Sequence, residues 1–64
     1  MIKIGDLVRI KESDLGFYTS INRELIGKLA IVVVKGTWSM DVSIIGDNIG
    51  WEHRIPIEHL EVIG

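Results

Sequence analysis

The longest uninterrupted apolar run in the chain, Leu29 to Val34, ends in four β-branched residues, Ile31 to Val34. It falls far short of the roughly 20 residues that a membrane-spanning helix needs, and its β-branched content marks a strand. Side chains in a strand alternate between faces, so Leu29, Ile31 and Val33 share one side and Ala30, Val32 and Val34 the other. Both sides are therefore apolar. Such a strand is central in a sandwich, bent to serve two halves of a small barrel, or covered on its second face by a loop or another subunit. Gly27, just upstream, is the place for a bulge or a tight backbone approach that starts the bend.

The remaining pattern arranges itself around that strand. Ile2 to Ile4 reads as a short strand and Gly5-Asp6 as a turn. Leu7 to Lys11 alternates, with Val8 and Ile10 towards a core and Leu7, Arg9 and Lys11 away from it. Glu12 to Glu24 has no sustained period and reads as a long loop, with one helical turn near Asn22 to Leu25 ended by Gly27. Loops of this length in compact domains are often functional. Beyond the Gly36-Thr37 turn, Met40 to Ile45 is a third strand with Val42 and Ile44 on one face. Gly46-Asp47-Asn48 suits a hairpin joining Asp41–Gly46 to Ile49–Ile55. Pro56, which has no N–H to donate, breaks the pairing. Pro56 to His59 is then a single 3₁₀ turn, and Leu60 to Ile63 a last strand beside the N-terminus.

Composition narrows this to one small all-β domain, residues 1–64. A chain of 64 residues buries only about 60% of its unfolded surface, so its core must be dense. The 47% hydrophobic content supplies that density, and the excess of Ile and Val over Leu favours strands. With no cysteine, neither disulfides nor a thiolate metal site can staple the fold. A net charge of −2 lacks the electrostatic footprint of a nucleic-acid binder. The first residues, MIKIGDLV, carry no secretory pattern, so the cytoplasm is the expected location and no membrane partner is expected.

Gly5-Asp6-Leu7-Val8-Arg9-Ile10, Gly27-Lys28-Leu29-Ala30-Ile31-Val32 and the closing stretch Ile55 to Ile63 together resemble the SH3-like barrel pattern, over nearly the whole chain. The resemblance implies a five- to six-stranded barrel with one long early loop and a one-turn 3₁₀ helix before the last strand. It says little about function, because that barrel hosts many roles. Gly5 through Val34 is similar to the KOW-type subset, which binds RNA or protein; Gly27 matches its glycine, and Ala30 stands where a second glycine is usual. Pro56 matches the proline of the peptide-binding SH3 pattern, and His59 stands where that pattern has a tyrosine. Small proteins of this look occur in photosynthetic electron-transfer complexes and in large tailed phages, where the resemblance implies docking or structural roles.

Phe17 and Tyr18 in the long loop and Trp38 after the Gly36 turn are placed to flank a shallow groove, with His59 as the fourth expected partner-binding residue. The plainer alternative is that Phe17 or Tyr18 folds back over the central strand. Trp51 is expected to share a core-facing side with His53 and Ile55. An assembly face is expected from the outward apolar residues Leu7, Ala30, Val32, Val34, Ile45 and Ile63, because monomers seldom leave so large an apolar patch uncovered. The competing reading is a barrel bent enough to internalise Val32 and Val34. Lys3, Arg9, Lys11 and Lys28 form a candidate nucleic-acid patch, or else a solvated face balanced by Glu12, Asp14 and Glu24.

Catalytic and metal chemistry find little to work with. His53, His59 and the carboxylates show no metal-ligand spacing. Ser13, Ser20, Ser39 and Ser43 sit in no nucleophile elbow, and the glycines form no phosphate loop. The sequence thus points to a non-catalytic docking or assembly module that binds a protein or a second copy of itself, without a cofactor. The second reading is a KOW-type barrel associated with RNA or DNA.

Overall fold

A computed structural model describes residues 2–12, 23–46 and 51–64. The long loop expected at 12–24 falls mostly outside that range, as do Phe17, Tyr18, Asp47 and Asn48. Among the described residues there are five strands, β1 (Leu7–Ile10), β2 (Leu29–Lys35), β3 (Ser39–Ile44), β4 (Glu52–Pro56) and β5 (Leu60–Val62). Short 3₁₀ turns occupy Arg23–Leu25 and Ile57–His59. All pairings are antiparallel, in the order β4-β3-β2-β1-β5. The two end strands do not pair with each other, so this is one open sheet.

β1 sits between β2 and β5, and its register settles which side of the sheet is inside. Val8 and Ile10 are fully buried, and Val8 lies directly opposite Ala30 while Ile10 lies opposite Leu60. Residues directly opposite in an antiparallel pair share a face. Ala30 and Val32 therefore join Met40, Val42, Ile44, Ile55 and Leu60 in the core, with Ile2, Leu25 and Ile57 packed at its margin. The expectation that Ala30 and Val32 belong to an outward assembly face is overturned: Val32 is only 1% exposed.

Period two does not run unbroken through β2. Val32 pairs with Val42 but Val34 pairs with Asp41, so Val33 is an extra residue in a bulge. A bulge reverses the facing of everything beyond it and bends its strand. Val34 consequently turns outward beside Asp41, although Val32 points in. The irregularity falls here and not at Gly27. Gly27 is instead a turn residue with φ +92°, whose amide donates to the Ile10 carbonyl at 2.6 Å. That φ is readily available only to glycine.

Three further expectations are corrected. Ile2 to Ile4 is no strand but the start of a turn, in which the Lys3 amide donates to the Asp6 carboxylate at 2.8 Å and the Asp6 amide to the Lys3 carbonyl at 3.0 Å. Pro56 ends β4 opposite Ser39 and does not lie outside the ladder. Trp51 is 68% exposed and immediately precedes β4, whose described pairing with β3 runs from Glu52 opposite Ser43 to Pro56 opposite Ser39.

Candidate functional site

The tightest hairpin in the described sheet joins β2 to β3 through Gly36, Thr37 and Trp38. Gly36 is required there by contact: a Cβ at this position would collide with the Ser39 carbonyl oxygen. The turn is tied down from a second side, since the Ile57 amide donates to the Trp38 carbonyl at 3.0 Å. Trp38 thus has a fixed backbone beside the Pro56–Ile57 junction. Trp38 is nevertheless 84% exposed, an unusual state for the largest amphipathic residue.

Beside it lies a concavity of about 270 Å³. Val34 and Trp38 contribute apolar lining, Thr37 and Ser39 hydroxyls, and Asp41 and Arg54 charge. The bulge at Val33 is what brings Val34 to this surface. Asp41 and Arg54 are cross-strand partners, and Arg54 Nε donates to Asp41 Oδ1 at 3.2 Å. A site that encloses a small molecule is larger than about 300 Å³ and mostly apolar. At about 270 Å³ this hollow lies just below that range.

The other candidate residues are distributed differently. His59 is 4% exposed, so it is corrected from a partner-binding to an interior position. Its Nδ1 lies 2.7 Å from the Lys11 carbonyl, which can only accept, so this nitrogen carries the proton. Lys3 sits in the turn entering β1, Lys11 and Lys28 lie at the opposite end, and between them Arg9 is paired across the sheet with Glu61 at 3.5 Å. Among the described residues no group of three or more His, Cys, Asp or Glu side chains is placed to hold a metal ion, and no helix is long and apolar enough to cross a membrane.

A second surface emerges on the outer side of β1, β2 and β5. Leu7 is opposite Ile31, and the Ile63 amide donates to the Leu7 carbonyl. Leu29 is opposite Arg9 and accepts from the Ile45 amide. Leu29 and Ile31 therefore occupy the places expected for Ala30 and Val32, alongside the exposed Ile45 and Ile63 and the half-buried Leu7. Recognising this from sequence required the β1–β2 register, which no local pattern encodes. No family model matches the chain, and neither curated proteins nor solved structures give a match, so its functional reading stands on this geometry.

Proposed function

We propose that the chain is a non-catalytic protein-docking module, built as a partly open barrel of the SH3-like kind. In support of the barrel, β2 is bulged, its neighbours follow the order β4-β3-β2-β1-β5, and a 3₁₀ turn precedes the last strand. The observation that carries the docking reading is Trp38, whose backbone is fixed and which stands almost wholly in water beside a shallow hollow. Exposed aromatics backed by rigid structure are the usual anchors of protein interfaces. The outer apolar strip from Ile63 through Leu7 and Ile31 to Leu29 and Ile45 supplies a second contact area for a larger assembly.

Nucleic-acid association is the weaker reading, because Arg9 is already paired with Glu61 and the chain carries a net charge of −2. Trp38→Ala tests the docking reading. The variant should unfold at the same denaturant concentration as the parent but fail to retain the partner captured from native cells. Undiminished capture would remove Trp38 from the interface.

A further inference from the structure

We infer that the Trp38 hollow receives an extended peptide segment in which an acidic residue lies next to an apolar one. This rests on the docking reading and adds the chemistry of the partner. Arg54 is the key. Its side chain is 76% exposed while that of Asp41 is 22% exposed, so the pair is lopsided: a half-sunk carboxylate holds Nε, and the guanidinium tip stands in solvent. Among the described residues the Nη groups have no protein acceptor. A guanidinium has five N–H donors in a rigid fork, and one of them is used here.

Holding Nε orients the fork and lowers the entropic cost of the next bond. The group best matched to the remaining donors is a second carboxylate. Trp38 and Val34, which also line the hollow, offer apolar contact to a neighbouring residue of the same segment. An acid beside an apolar residue thus satisfies both halves.

A single-stranded nucleic acid also combines anionic and stacking groups, but it needs a run of cations along its backbone. The hollow contains one, Arg54, offset by Asp41. Lys28 lies before β2 while Val34 is near its far end, six residues or roughly 20 Å along at about 3.3 Å per residue.

The test is selection of a phage-displayed random peptide library on the full chain, on Trp38→Ala and on Arg54→Gln. Binding of an immobilised single-stranded thymidine oligonucleotide is measured in parallel. The parent should enrich peptides with Asp or Glu adjacent to an apolar residue. Arg54→Gln should weaken the leading peptide by roughly tenfold to a hundredfold, the scale of a hydrogen bond between charged groups. Replacing the peptide's acid by its amide should cost the same, with no further loss when the two changes are combined. Trp38-dependent peptides without acidic enrichment would overturn this inference and leave the docking reading standing. No Trp38-dependent selection at all would overturn both. Arg54-dependent binding of the oligonucleotide in place of peptides would assign the hollow to nucleic acid.

Discussion

Lys11 and His59 hold each other by two hydrogen bonds across a gap of 48 residues in sequence. The Lys11 amide donates to the His59 carbonyl at 2.8 Å, and His59 Nδ1 donates back to the Lys11 carbonyl at 2.7 Å. The backbone bond extends the β1–β5 ladder past its last pair, Ile10 and Leu60. The side-chain bond clamps the 3₁₀ turn to the chain leaving β1, where the undescribed segment begins.

His59→Ala should therefore be costly, although a histidine in a turn looks dispensable. It leaves a part-buried carbonyl without that donor and a void where the ring was, a loss of about 1–3 kcal/mol for the hydrogen-bonding group alone. For a domain of this size each kcal/mol is worth roughly 4–8 °C in Tm. A thermal unfolding scan checks it; an unchanged Tm would mean that the clamp contributes nothing.

The bulge makes neighbours in β2 respond in opposite ways. Val32 is buried opposite Val42 and Val34 is exposed opposite Asp41. Val32→Ala should destabilise by about 2 kcal/mol, in line with removal of buried methyl groups. Val34→Ala should fall within about 0.5 kcal/mol, as surface changes do. Urea titrations of both variants decide the matter, and equal losses would contradict the register shift.

Gly36 and Gly27 are both constrained, for different reasons. At Gly36 an alanine Cβ meets the Ser39 carbonyl, so Gly36→Ala must displace the turn that carries Trp38. At Gly27 space is open and only the φ of +92° is unfavourable, a strain of about 1–3 kcal/mol. Peptide binding should consequently drop in Gly36→Ala beyond what its stability loss explains, and in Gly27→Ala only as far as unfolding does. Binding titrations at a temperature where both variants remain folded separate the two.

Both tryptophans are largely in water, 84% for Trp38 and 68% for Trp51. Intrinsic fluorescence should accordingly shift little when the chain unfolds, and a small neutral quencher should reach both indoles in the native state. In Trp51→Phe, a peptide seated in the hollow should protect the remaining indole from that quencher. Protection that persists in Trp38→Ala and vanishes in Trp51→Phe would move the site to Trp51.

Much of this architecture could be read from the chain. The alternation of Val8 with Ile10 and of Val42 with Ile44 placed both pairs inside, and Ile57–His59 forms the single turn expected before the last strand. Three features resisted reading, each because its cause is distant in sequence. The inner face of β2 depends on which of its apolar residues meets Val8. The burial of His59 depends on a carbonyl at Lys11. The outward turn of Val34 depends on one unpaired residue inside a uniformly apolar run, where period two gives no sign of a break. Of the candidate site, Trp38 was singled out by its turn, whereas Arg54 gave no local signal; its role comes from lying opposite Asp41.

The placement of β1 between β2 and β5 also bears on how the chain is made. As it leaves the ribosome, β2, β3 and β4 each follow the strand they pair with, and every residue lining the Trp38 hollow lies between Val34 and Arg54. One edge of β1 must wait for Leu60–Val62. The nascent chain thus owns the Trp38 hollow before it owns a complete sheet, and the strand left unguarded meanwhile carries Arg9 with Lys11 just beyond, charges that make an open edge a poor template for wrong pairing.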